Sequence, residues 1–231
     1  MLGILIQLAI SWGLLKWIEG ENLSVLGLLP SGKRVPNLVL GLLCSAVIIS
    51  LYYFSITYLS DYSWTLNASY TANQFFTALW WTLKSVLFEE LLFRGALLYL
   101  LLKKLGEIKA CLLSAVAFGI YHWFSYQVLG QSVTMIYVWV TTGIWGFMFA
   151  FAFARTRSLY VPVGLHFGWN LFDLAVFSQG TLGDQLLVHS ENGTLLSDTA
   201  FIALQIFQVF ALPALIIIYL KMNKPAFKVS Q

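Results

Sequence analysis

Charge is what this 231-residue chain has least of: only 10% of its residues are Asp, Glu, Lys or Arg. A soluble domain carries about 25%. With 59% hydrophobic residues, too little polar surface remains to coat a water-soluble globule, which argues against a soluble enzyme, a disordered chain or a nucleic-acid binder. Cysteine is scarce as well. Cys44 and Cys111 both sit in apolar stretches and read as small core hydrophobes, not as a disulfide or metal pair. The N-terminus lacks a basic segment before its first apolar run and a small-x-small cleavage site, so it reads as a retained span. No His-Glu-x-x-His motif, internal repeat or low-complexity tract is present.

What the chain does have is long apolar runs, at 2–18, 36–59, 71–102, 110–126, 133–154, 159–177 and 199–220. A span needs about 20 residues as a helix. The runs are too long and too little alternating for barrel strands of about 10 residues. The expected fold is all-α, a polytopic membrane bundle of about seven helices. The run 71–102, at 32 residues, exceeds one span and must tilt, protrude or start late. Three regions are expected: 1–70 with N-terminal spans and loops, 71–178 with the polar motifs, and 179–231 with an external loop, the last span and a tail.

The basic residues orient this map. Lys16, Lys33, Arg34, Lys103, Lys104, Lys109, Arg155, Arg157, Lys221, Lys224 and Lys228 fall on one set of alternating loops. Asp61, Asp184, Glu191 and Asp198 fall on the other. The positive-inside rule makes the first side cytoplasmic, with the N-terminus outside and the C-terminus inside. Trp12, Trp17, Trp64, Trp80 and Trp81 lie near span ends, and most of them read as interfacial belt residues.

A few ionisable groups fall inside spans, where each needs a partner or a role. Lys84 is explained by snorkelling or by a helix that starts late. In Phe88-Glu89-Glu90-Leu91-Leu92-Phe93-Arg94, the i, i+4 spacing pairs Glu90 with Arg94. Glu89 points elsewhere, about 100° round the helix from Glu90. A carboxylate left beside a buried ion pair is a candidate general base. His122 follows Phe118 by four residues, and His166, Asn170 and Asp173 share one stripe of the sixth run. Asp173 either orients His166 or bonds another helix. Pro162 either begins the regular part of its helix or kinks it. Glu90, His122 and Asn170 each lie 13 residues from a basic boundary residue. At about 1.5 Å per residue, that is about 20 Å in each case, so three helices bring polar groups to one layer.

This set has no Ser or Cys nucleophile. It suits a carboxylate that deprotonates water with help from a histidine, with further donors to hold an oxyanion. A zinc site built from Glu89, His122 and His166 is the competing chemistry, ranked second because Asn is a poor zinc ligand. The ordered motifs Glu89-Glu90-x-x-x-Arg94, Phe118-x-x-x-His122 and His166-x-x-x-Asn170 resemble those of the CPBP family. That family groups type II CAAX prenyl endopeptidases with bacteriocin-processing and immunity (Abi) proteins. The resemblance implies an intramembrane endopeptidase. Glu89 would be the water-activating base, His122 its partner, His166 and Asn170 the oxyanion pair, and Glu90 and Arg94 supporting residues. Asp173 is an addition from the helix reading. The expected cofactor is none, with zinc as the alternative. The expected partners are the bilayer and a membrane-associated peptide or protein, prenylated or bacteriocin-related. The expected location is a bacterial cell membrane. A non-catalytic bacteriocin-immunity protein is the other function class. A proton-coupled transporter is disfavoured for want of symmetric halves.

Overall fold

The structure, a computed structural model, describes residues 1–177, 182–183, 185–189 and 193–222. Asp184, Glu191, Lys224 and Lys228, used above for orientation, lie outside the described residues. The fold is all-α apart from one two-stranded ribbon. Helix α1 is Leu2–Glu19, α2 Arg34–Ser60, α3 Ala72–Arg94 and α4 Ala96–Leu105. Helix α5 is Glu107–Ser125, α6 Ser132–Thr156, α7 Tyr160–Leu171 and α8 Asp198–Lys221.

Five helices, α1, α2, α5, α6 and α8, are long and apolar enough to cross a membrane. The chain is an integral membrane protein. The helices that miss this criterion are those with buried charge or a break: α3, α4 and α7.

The long third run does not start late, and a break divides it. A capping box formed by Thr71 and Gln74 starts α3 at Ala72. The helix stops at Gly95, where a Cβ would lie 2.2 Å from the Leu91 carbonyl oxygen, and α4 continues from Ala96. Only glycine fits this joint. Such discontinuity is tolerated at membrane depth where protein encloses it, and buried Ser11 of α1 lies beside the joint. Lys84 therefore sits well inside α3, half-buried, with its Nζ 5.9 Å from the Trp80 ring centroid.

Helix α7 packs on α2 through small residues. A Cβ on Gly164 would meet the Leu38 carbonyl oxygen at 2.3 Å, and one on Gly168 the Leu42 carbonyl oxygen at 2.5 Å. Ser45 Oγ donates to the Leu165 carbonyl at 2.7 Å. Two backbones this close form the small-xxx-small packing that substitutes for the hydrophobic effect in lipid. Pro162 lies in the first turn of α7, so it begins the helix. After Leu171 the chain continues as a π-helix, Phe172–Phe177.

The loops divide between two ends, as the alternation of basic residues requires. At one end Lys103 pairs with Glu19, and Arg155 Nη2 donates to Glu107 Oε1 at 2.7 Å. There too the Leu159 N–H donates to the Leu26 carbonyl at 3.3 Å. At the other end strand β1 (Trp64–Leu66) pairs antiparallel with β2 (Leu187–His189), in the register Trp64 to His189. Trp64 also has a packing role. It packs edge-on against Tyr53, Phe177 and His189. Cys44 and Cys111 are free thiols, half-buried and buried.

Candidate active site

The last two turns of α3 place Glu89, Glu90 and Arg94 in the middle of the bundle. Glu90 and Arg94 are fully buried, and Arg94 Nη1 donates to Glu90 Oε1 at 3.2 Å. Arg94 Nη2 donates to the Gly146 carbonyl of α6 at 3.0 Å. The guanidinium carbon lies 4.3 Å from the Phe118 ring centroid and 5.1 Å from that of Phe149. A buried cation is thus met by a carboxylate, a carbonyl and two π faces. Its place in the final turn of α3 also suits the negative end of the helix dipole.

Glu90 Oε1 accepts a second bond, from His166 Nδ1 of α7 at 2.8 Å. The ring of His166 stacks on Phe149 at 4.8 Å. Of the two roles open to Asp173, bonding another helix is the one observed. Asp173 Oδ1 accepts from the Tyr53 hydroxyl of α2 at 2.5 Å, and Glu90 takes the orienting contact to His166. The stripe assumed an unbroken α-helix, but Asp173 lies in the π turn, which alters the facing of residues beyond Leu171.

His122 of α5 is fixed through its other ring nitrogen. Its Nδ1 lies 2.8 Å from the Phe118 carbonyl. A carbonyl only accepts, so Nδ1 carries the proton and Nε2 offers a lone pair. The same logic at Glu90 leaves His166 Nε2 as the outward-facing nitrogen of its ring. Both Nε2 atoms face Glu89 Oε2, His166 at 3.8 Å and His122 at 4.0 Å. These distances exceed a direct hydrogen bond. Glu89 Oε2 is buried and makes no hydrogen bond among the described residues.

Three helices therefore bring Glu89, Glu90, Arg94, His122 and His166 into one buried cluster. Asn170 stands one turn beyond His166 on α7, half-buried, and makes no hydrogen bond among the described residues. Sequence reasoning passed over Gly146, Phe149 and Tyr53. A carbonyl, a phenyl ring and a phenol in apolar helices carry no local signal of their partners. The small residues at 41, 45, 164 and 168 did carry one, their four-residue spacing.

Residues 71–172 match the family model described as type II CAAX prenyl endopeptidase Rce1-like. Over that stretch the chain is similar to this family. The matched segment runs from the N-cap of α3 to the first residue of the π turn, so it contains every member of the buried cluster. It agrees with the resemblance drawn from the three motifs, and it supports a CAAX-type protease of the membrane. No curated protein and no solved structure matches the chain.

Proposed function

We propose that the chain is an intramembrane endopeptidase in which Glu89 activates water to hydrolyse a peptide bond of a membrane-associated substrate. One observation carries the reading. A buried, unpartnered carboxylate oxygen faces two imidazole nitrogens at 3.8 and 4.0 Å. A water between Glu89 Oε2 and either Nε2 makes hydrogen bonds of ordinary length to both, and its two protons serve two of the three acceptors at a time. Glu90 is the less suited base, because Arg94 and His166 both donate to its Oε1 and stabilise its charge, although its Oε2, like that of Glu89, is buried without a hydrogen bond among the described residues.

The step balances as follows. Glu89 takes a proton from water as the oxygen attacks the carbonyl carbon, with His122 helping to hold that water. The carbonyl oxygen becomes an oxyanion, stabilised by the Asn170 amide N–H and by His166. His166 donates from Nε2 only as an imidazolium, whose charge faces Glu90. The tetrahedral intermediate then collapses, the C–N bond breaks, and the proton on Glu89 passes to the leaving amine. The enzyme is regenerated without a covalent intermediate.

Zinc would need Glu89, His122 and His166 within about 2.0–2.2 Å of one point. Among the described residues no three His, Cys, Asp or Glu side chains are arranged to hold a metal ion. The preference for metal-free activation by the carboxylate rests on the donor set, since Asn170, the group one turn beyond His166, is a poor zinc ligand. The Rce1-like match favours a prenylated C-terminal peptide over a bacteriocin-related one.

The test compares peptide termini in cells that express wild type or Glu89→Gln at equal membrane levels. New termini that require Glu89 are expected. Termini that persist in a folded Glu89→Gln protein would remove Glu89 as the base.

A further inference from the structure

On the far side of α7 from Glu89 lies a cavity of about 830 Å³, bounded by α2, the ends of α6 and α8, and the start of α7. Leu165 lines this cavity, while the next residue, His166, faces Glu89. The cavity is therefore not the reaction site seen from another angle.

Its wall changes character with depth. Lys33, Arg34 and Arg155 stand at the end where the basic loops gather, and no Asp or Glu lines the cavity. Further in, the wall is Leu40, Cys44, Leu215 and Ile216. Arg34 is anchored by one bond, Nη1 to the Leu29 carbonyl at 2.8 Å, and a guanidinium has five N–H donors. Lys33 Nζ makes no hydrogen bond or ion pair among the described residues. From Arg34 to Cys44 is ten residues of α2, about 15 Å. That is half of a hydrocarbon core of about 30 Å, the depth of one leaflet.

We infer that this cavity is a binding site for an anionic glycerophospholipid. The phosphate lies against Lys33 and Arg34 at the membrane surface, and an acyl chain runs along Leu40, Cys44, Leu215 and Ile216. Cations at the mouth exclude an uncharged apolar guest as the best match, and an apolar wall one leaflet deep excludes a small soluble anion. Basic pockets between helices on the anionic face of a membrane recognise headgroups by this chemistry. Val161 and Leu165 give the acyl chain a direct contact with α7, the helix that carries His166 and Asn170.

The test uses the full chain in mild detergent, incubated with mixed micelles of phosphatidylglycerol and phosphatidylcholine in equal amounts. Retained lipid is counted by native mass spectrometry. Wild type should retain phosphatidylglycerol preferentially. A cation near an anionic surface contributes about a fivefold factor, so K33Q/R34Q should lower that preference about 25-fold. L215W, which fills the apolar part, should lower retention of both lipids while keeping their ratio. K104Q/K109Q, on the same end but away from the cavity, should change neither. An unchanged preference in folded K33Q/R34Q would overturn the site. So would an equal loss in K104Q/K109Q, which would mean diffuse attraction. Displacement of the lipid by millimolar glycerol phosphate would overturn a lipid as the occupant. Should K33Q/R34Q fail to fold, unchanged retention in L215W refutes the acyl contact independently.

Discussion

Neutralising Glu90 separates what holds the bundle together from what performs chemistry. Glu90→Gln keeps the side chain's shape and removes its charge. Arg94, fully buried, then keeps the Gly146 carbonyl and the rings of Phe93, Phe118 and Phe149. Loss of a hydrogen bond inside a membrane protein averages only about 0.6 kcal/mol. A buried charge left without its counter-ion costs about 3–5 kcal/mol. The second effect should dominate, and about 3 kcal/mol is expected because the carbonyl and rings still hold the guanidinium. Arg94→Met should cost a similar amount, since it strands Glu90. The double variant E90Q/R94M removes both charges and should recover at least about 2 kcal/mol of the summed loss, because apolar replacement of a buried pair is often near neutral. Activity should not recover with it, since His166 Nδ1 has lost its carboxylate in both E90Q variants. Reversible unfolding in mixed micelles, followed by tryptophan fluorescence, measures the stabilities. Trp145 and Trp169, with ring centroids 4.3 Å apart, report from α6 and α7. Additive losses in the double variant would refute the ion-pair argument. Cleavage restored by E90Q/R94M would refute the orienting role of Glu90.

Other outcomes follow from the same contacts. Gly168→Ala puts a Cβ 2.5 Å from the Leu42 carbonyl oxygen and 2.8 Å from its Cα, so α7 must shift. A loss of about 1–3 kcal/mol is expected, measured beside Gly13→Ala, which meets nothing within 4 Å and should be neutral or slightly stabilising. Tyr53→Phe removes the bond to Asp173 and should lower kcat severalfold with KM little changed; full inactivation equal to that of Glu89→Gln would give the π turn a larger role. Hydrolysis should survive extensive dialysis against a chelator, with no stoichiometric metal in either wild type or His122→Ala. Activity lost on chelation and restored by zinc would overturn the metal-free reading.

The site was legible because each helix carries its own spacing. Glu90 and Arg94, Phe118 and His122, and His166 and Asn170 are each one turn apart. Those relations are local, so sequence reports them. The partner of Asp173 was not legible, because a phenol on α2 and a carboxylate beyond α7 are 120 residues apart. The break at Gly95 was half legible. A 32-residue run demanded some remedy, and glycine directly after Arg94 marked its place. The choice between tilting and breaking depended on the Leu91 carbonyl and on α1, which only the fold supplies.

The break and the buried charges have one physical cause. A helix that keeps Lys84, Glu89, Glu90 and Arg94 within eleven residues cannot face lipid as a continuous span. It needs a sleeve, and α1, α2, α5, α6 and α8 have the length and apolarity to form one. Inside such a sleeve backbone irregularity is tolerated, because protein and not hydrocarbon surrounds it. Gly95 then ends α3 directly after Arg94, and the π turn starts two residues after Asn170. Both irregular joints flank the polar layer, and neither lies in the five long apolar helices. Stiffening the first joint should therefore affect the site before it affects insertion. Gly95→Ala, whose Cβ would lie 2.2 Å from the Leu91 carbonyl, should reach the membrane at wild-type level and lose most cleavage as Arg94 and Glu90 are displaced. Normal cleavage by that variant would show that the joint can be rebuilt without moving Arg94, and the link between the break and the buried charges would fail.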